Sequence, residues 1–176
     1  VYKQCYGRIT AKNRALSRLE LAYVSPALHA ARDLELAVPG TYRPGVPFTR
    51  IRSFARSMTV IVSKQRPRIM SMPGDDGAEH RFLLKGHEDL RQDERVMQLF
   101  GPVNTLLSVE QETAHASLAI ITYSVIPLSP TSGLIRWVPN APTFNTLING
   151  VRKARRVPET AEKDLINRFS PRRTPN

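Results

Sequence analysis

Apolar and polar positions change rhythm several times along the chain, and each change marks a predicted element. From Val1 to Ala31 the pattern reads as helix, with Leu16, Leu19, Leu21 and Tyr23 near its middle. Ser25-Pro26 is a restart, because proline fits the first helical turn, where an N–H has no intrahelical partner. Val38-Pro39-Gly40 and the run Tyr42-Arg43-Pro44-Gly45-Val46-Pro47 cannot continue a helix, so residues 32–56 read as a linker or turn-rich crossing. Met58, Val60 and Val62 then alternate with Thr59, Ile61 and Ser63, the period of a strand rich in β-branched residues. Arg68 to Met72 is a second strand, and Pro73-Gly74-Asp75-Asp76-Gly77 is turn chemistry ahead of a third, Glu79 to Lys85. Strands two and three are therefore predicted to form an antiparallel hairpin.

Helical spacing takes over near Asp89, whose carboxylate can cap free N–H groups, and Leu90, Val96, Met97, Phe100, Val103, Leu106 and Leu107 recur at threes and fours. This predicts one helix facing the sheet. Pro102 predicts a bend in it, since an interior proline costs about 3 kcal/mol. A strand-like run from Leu118 to Leu128 leads through the turn Ser129-Pro130-Thr131-Ser132-Gly133 to a last strand, Leu134 to Val138. Residues 151–176 are basic and polar with three prolines, the composition of a disordered tail. The fold class is α+β: an antiparallel sheet with one long helix between its third and fourth strands, after a short helical segment.

Composition narrows the function. With 176 residues and 41% apolar content the chain can bury a core of its own. No apolar run reaches the roughly eighteen residues of a membrane-crossing helix, and no basic-then-apolar leader with a cleavage site opens the sequence. The single Cys5 and four unspaced histidines leave no internal disulfide and no metal site to expect, and point to a reducing, intracellular setting. The net charge of +11 is unevenly spread: Lys and Arg against Asp and Glu number 8 to 3 over residues 1–50, 9 to 7 over 51–100, 1 to 2 over 101–150 and 8 to 3 over 151–176. The excess lies at the two ends. Without a zinc finger, basic zipper or ribonucleoprotein motif, it reads as solvated tails or docking surfaces rather than sequence-directed nucleic-acid binding.

Strand parity organises the candidate chemistry. Leu83 and Lys85 share one face of the third strand while Phe82 and Leu84 point the other way, towards a core. The same parity puts Ile61 and Ser63 on one side of the first strand. An apolar wall beside a cation suits a nucleotide, and the acids Glu88, Asp89 and Asp93 could hold the ammonium. On spacing alone the stronger reading is plainer: a lysine ending a strand in solvent, followed by acids on an amphipathic helix.

The run Phe82-Leu83-Leu84-Lys85-Gly86-His87-Glu88-Asp89-Leu90-Arg91-Gln92-Asp93-Glu94-Arg95-Val96-Met97-Gln98-Leu99-Phe100 shifts that balance, because it resembles the small lobe of the target of rapamycin kinases. Asp-Leu-Arg-Gln-Asp is common to the related phosphatidylinositol 3-kinases. The Lys-Gly-His-Glu lead and the Glu-Arg-Val-Met-Gln-Leu-Phe end are of the target of rapamycin type. Asp33 to Tyr42, Ser63 to Arg68, Val125 to Leu128 and Ser132 to Ile135 match in the same order, so the resemblance covers about Tyr2 to Ile148 and lapses after it.

The resemblance implies an ATP site. Val60 to Arg66 becomes the phosphate-covering loop, without the glycines of ordinary protein kinases, with Ser63 and Gln65 near the phosphates and Ile61 over the adenine. Lys85 contacts phosphate with Glu88 close to it, and Asp93 and Tyr123 line the inner pocket. Trp137 and Val138 form the hinge, where Trp137 packs on the purine and the backbone of Arg136 and Val138 meets its edge. Leu83 and Ile135 add apolar wall, and Thr143 lies at the rim. Taken alone, Trp137 is as readily a core tryptophan. Two departures stand out: Arg136 replaces a glycine usual in the hinge, and Pro102 interrupts the helix.

The implied organisation is the end of a rapamycin-binding helical region over 1–31, a linker over 32–56, a partial kinase small lobe over 57–150 and a tail over 151–176. Tyr6 falls at an aromatic drug contact of that bundle, most of which is missing, so no drug binding is expected. The family implies serine/threonine phosphorylation of proteins with ATP and Mg or Mn. It also implies protein substrates and complex subunits as partners, and a cytoplasmic, endomembrane-peripheral or nuclear location. The 176 residues contain no Asp-Phe-Gly and no His-Arg-Asp or Asp-Arg-His, and His80-Arg81-Phe82 stands ahead of the lysine in the wrong order. The expectation is a fragment, truncated before the catalytic loop and the metal ligands and inactive alone. A binding or interfering module, its basic end docking an acidic partner or membrane surface, and a lipid-kinase fragment stay open as alternatives.

Overall fold

Leu19 and Met58 meet across a strand pair, and this pairing decides how the N-terminal region folds. The computed structural model describes residues 1–158 and 160–169. Helix α1 (Tyr2–Ala15) is exposed along nearly its whole length. The chain then extends into β1 (Arg18–Glu20), antiparallel to β2 (Ser57–Val60) with Leu19 opposite Met58. Helix resumes in α2 (Leu21–Val24) and again in α3 (Pro26–Ala30), where Pro26 is the predicted restart. The continuous helix expected over residues 1–31 is thus broken at Leu16, because Leu19 packs against the core cluster and tertiary pairing overrides local propensity.

Residues 32–56 are a turn-rich crossing, and they are also part of the core. Leu34 N–H donates to the Ile51 carbonyl at 2.9 Å, Ile51 N–H to Leu36 at 2.9 Å and Val38 N–H to Thr49 at 2.8 Å. The segment therefore doubles back on itself, burying Val38 completely and Ile51 and Phe54 almost so. Gly40 makes the reversal possible: its φ is +78°, and an added Cβ would lie 1.9 Å from the Ser124 hydroxyl.

The predicted hairpin forms. β3 (Arg68–Pro73) and β4 (Glu79–Gly86) pair from Arg68↔Leu84 to Pro73↔Glu79. Asp76 organises the turn, accepting from Ala78 N–H at 2.9 Å, from Thr49 Oγ1 at 3.3 Å and facing His80 Nε2 at 2.9 Å. The Ala78 N–H and then His80 hold the Asp76 carboxyl below its ordinary value.

Helix α4 (Arg91–Val109) runs through Pro102, and a short α5 (Gln111–His115) follows. Met97, Phe100, Val103 and Leu107, half-buried on both sides of the proline, keep the helix together despite the missing hydrogen bond. The predicted strand from Leu118 starts late. Asn104 clamps Ile120 instead, its side-chain amide donating to the Ile120 carbonyl at 2.8 Å and accepting its N–H at 2.7 Å. Those two backbone groups, satisfied by a side chain, need no strand neighbour. β5 (Val125–Ser129) and β6 (Ser132–Arg136) close the sheet in the order β1-β2-β3-β4-β6-β5, every pair antiparallel. The last strand is shifted from its predicted span, so Trp137 and Val138 lie beyond it. Phe82, Met58, Met70, Met72 and Leu134 join Leu21, Val38, Ile51 and Phe54 in one core on a single face of the sheet.

Residues 1–137 form one unit and residues 138–176 a second. Within the second, α6 (Phe144–Ala154) and α7 (Ala161–Phe169) occupy part of the stretch whose composition predicts a disordered tail. Leu147, Ile148 and Val151 on α6, and Leu165, Ile166 and Phe169 on α7, recur at helical spacing, a pattern that overall polarity conceals. Arg152 pairs with Glu162 between the two helices. Residues 170–176 of the predicted tail lie outside the described residues. Among those described, no helix is long and apolar enough to cross a membrane.

Two measurements check this packing. Gly40→Ala is expected to lower stability by about 1–3 kcal/mol for the left-handed backbone and by about 1–3 kcal/mol more for the overlap with Ser124. Adding Ser124→Gly should recover only the second part in urea unfolding. For Asp76→Asn, the lowered carboxyl pKa sets the sign: its contribution is present above the ordinary value of 3.8 and lost as pH falls through the folded value. The stability gap between wild type and variant should be present at neutral pH and close in acid.

Candidate functional site

Cross-strand partners in an antiparallel ladder share a face, so the register assembles the site. Ile69 on β3 pairs with Leu83 on β4, Leu83 with Ile135 on β6, and Ile135 with Val125 on β5. These four make an apolar strip on the face opposite the core. Sequence reading finds Leu83 and Ile135; Ile69 and Val125 become visible only with the pairing register.

Lys85 stands two residues beyond Leu83 on the same face. Its partner on β6 is Gly133. A Cβ at Gly133 would lie 2.7 Å from both the Leu90 Cδ1 and the Ile126 carbonyl oxygen. The absent side chain therefore leaves room for Leu90, which is fully buried and immediately precedes α4. Between Lys85 and Leu90 the chain reverses through His87, at φ +59°, and Glu88 N–H donates to the Thr131 carbonyl at 3.3 Å. The reversal carries the Glu88 carboxylate back to the Lys85 ammonium, 2.6 Å away.

Both partners are partly exposed, with 21% of the Lys85 side chain and 37% of the Glu88 side chain accessible. Pairs of that kind contribute about 0.2–1 kcal/mol, so this one matters for where it holds the cation. Asp89 is engaged elsewhere: it accepts Arg91 N–H at 3.1 Å at the start of α4 and pairs with the Arg91 guanidinium at 2.6 Å, and those bonds lower its pKa. Asp93, on the first turn of α4, is exposed and has no ion-pair partner among the described residues. Of the three acids, Glu88 is the one that reaches Lys85.

The loop after β2 is closed at its base by Ile61 N–H donating to the Pro67 carbonyl at 2.9 Å. Ser63 Oγ accepts the Arg66 N–H at 3.2 Å, with Arg66 at φ +48°, and Arg66 Nη2 reaches the Leu16 carbonyl at 2.7 Å. This leaves Ser63, Lys64 and Gln65 exposed at the tip and Ile61 half-buried at the base. Lys64 is a cation at that tip which the motif reading passes over.

At the other end of the strip, Arg136 N–H donates to the Ser124 carbonyl at 2.8 Å and Trp137 N–H to the Arg81 carbonyl at 2.8 Å. Both donors are thereby engaged within the protein. Tyr123, half-buried, stands two residues ahead of Val125. Val138 and Thr143 belong to the second unit, where Thr143 caps α6 by accepting the Thr146 N–H at 3.1 Å. No cluster of three or more His, Cys, Asp or Glu side chains that could hold a metal ion occurs among the described residues.

Comparison with known proteins gives the family. The family profile described as phosphatidylinositol 3- and 4-kinase matches residues 79–175. The serine/threonine-protein kinase TOR of Arabidopsis thaliana is 54% identical over 171 residues, 97% of this chain and 7% of that protein. The target of rapamycin homolog of Caenorhabditis elegans is 49% identical over 171 residues, again 97% of this chain and 6% of the relative. A solved structure of the FAT and kinase domain of CtTel1 superimposes with a TM-score of 0.54 at 34% identity, covering 65% of this chain and 8% of that one. The open conformation of CtTel1 gives a TM-score of 0.58 at 28% identity over 74% of this chain and 5% of the other. The similarity does not lapse at Ile148, as the verbatim strings suggest, but continues through the helices that follow. The chain spans a small part of the length of these relatives and belongs to the phosphatidylinositol 3- and 4-kinase family, on the branch of the target of rapamycin protein kinases.

Proposed function

We propose that this chain supplies the ATP-binding small lobe of a serine/threonine protein kinase of the target of rapamycin type. The observation that carries the reading is the Lys85–Glu88 pair at 2.6 Å, at one end of an apolar strip on the sheet face opposite the core. On this reading Leu83 and Ile135, joined by Ile69 and Val125, form a wall for the purine, and Ile61 covers it from the loop. Ser63 and Gln65 at the loop tip approach the phosphates. Tyr123 and Asp93 line the inner side, and Trp137 packs on the purine.

Kinase chemistry uses a divalent cation, Mg or Mn, to bridge phosphate oxygens. No group of three or more His, Cys, Asp or Glu side chains that could hold it occurs among the described residues. The part played by this chain is to bind, orient and neutralise. The catalytic aspartate and metal ligands of such enzymes belong to the large lobe, and the purified 176 residues are expected to transfer no phosphate. Protein substrates, complex subunits and a cytoplasmic, endomembrane or nuclear setting extend the same proposal. The Gly86-His87-Glu88 signature and the names of the relatives favour protein over lipid as substrate.

The test is nucleotide titration of the purified chain and its Lys85→Ala and Glu88→Gln variants. Removing a charged donor to phosphate forfeits about 1.5–3 kcal/mol, so Lys85→Ala should weaken ATP binding about tenfold or more and leave adenosine binding unchanged. Glu88→Gln should weaken ATP about two- to fivefold, the scale of an exposed pair. ATP binding indifferent to Lys85→Ala would overturn the assignment.

A further inference from the structure

A second cation stands on the same sheet face as Lys85, at the opposite end of the apolar strip. Arg81 precedes Lys85 by four residues on β4, so strand parity gives both the same face, separated by roughly 13 Å at about 3.3 Å per residue. The Trp137 N–H bond to the Arg81 carbonyl extends the β4–β6 ladder one step past β6, which makes Arg81 and Trp137 cross-strand partners. The Arg81 Cζ lies over the Trp137 ring, 5.6 Å from its centroid. Arg81 is exposed, Trp137 is half-buried, and Arg81 makes no ion pair among the described residues.

Stacked rings place their centroids about 4.5–7 Å apart, the same shell that the guanidinium fills. We propose that Arg81 is a lid on the base subsite: it covers the face of Trp137 on which a purine would stack, and a nucleobase enters by displacing it. The proposal rests on the nucleotide reading above. It makes Arg81 a residue that sets base affinity without touching phosphate, since Lys85 lies a strand's length away. A guanidinium–indole contact at an exposed site corresponds to about two- to fivefold in binding, and that is the penalty the base bears.

The experiment uses the whole 176-residue chain as wild type, Arg81→Ala and Arg81→Lys. Trp137 is the single tryptophan, so its indole Nε1–H gives one unambiguous resonance at the subsite. Adenosine is the probe for the base because it is uncharged, and ATP is the probe for the complete site. The expected result is that Arg81→Ala binds adenosine about two- to fivefold more tightly than wild type, with Arg81→Lys closer to wild type. The rest of the spectrum reports that each variant is folded. Adenosine affinity unchanged or weakened in Arg81→Ala, while ATP still binds through Lys85, overturns the lid and leaves the nucleotide reading standing. No response of any variant to adenosine or ATP overturns both.

Discussion

Gly133 lies across the β4–β6 ladder from Lys85, and the space its missing side chain leaves is taken by Leu90. Leu90 is fully buried at the foot of α4, so this fit determines where the long helix begins. The five-residue path from Lys85 to Leu90 then has little freedom. It turns back through His87 in the left-handed region, and Glu88 comes round to the ammonium. An ion pair partly open to solvent is too weak to set this geometry by itself. Packing at Gly133 sets it, and the pair follows.

The sheet divides its work between two faces. On one, Phe82, Met58, Met70 and Leu134 lock onto the doubled-back crossing and α2, and this burial supplies the stability. On the other, Ile69, Leu83 and Ile135, half-buried, and Val125, buried, make an apolar strip with a cation at each end. Strand periodicity enforces the split, since alternate residues of β4 must serve opposite faces. The core therefore backs the strip without occupying it.

Local chemistry made much of this legible in the sequence. The β3–β4 hairpin announces itself by its turn residues, β4 by alternation, α4 by apolar spacing, and the closeness of Glu88 to Lys85 by the motif they sit in. Long-range packing was not legible. β1 exists because Leu19 finds Met58, some forty residues away along the chain. The proline-rich crossing is buried because Val38 and Ile51 meet a surface that its own composition does not mention. Asn104 replaces a strand neighbour at Ile120, which no period reveals. The same limit applies in the site: Ile69, Val125 and the Arg81–Trp137 contact depend on register, and register is a property of pairs of strands.

The charge of Lys85 bears on how a phosphate could use it. An ammonium carries three donors, and a single carboxylate oxygen at 2.6 Å takes one of them. The remaining two point away from Glu88 on a side chain that is one-fifth exposed, on the face the apolar strip shares. Glu88 thus acts less as a competitor for the cation than as its anchor: it fixes the long, flexible stem of Lys85 and leaves donors for a second anion. Were Glu88 absent, the ammonium would sample several rotamers, and ordering a lysine side chain costs up to about 2 kcal/mol. On the proposed reading, meeting that cost during folding, before any ligand arrives, would let a weak, partly exposed ion pair strengthen the binding of a phosphate it never touches.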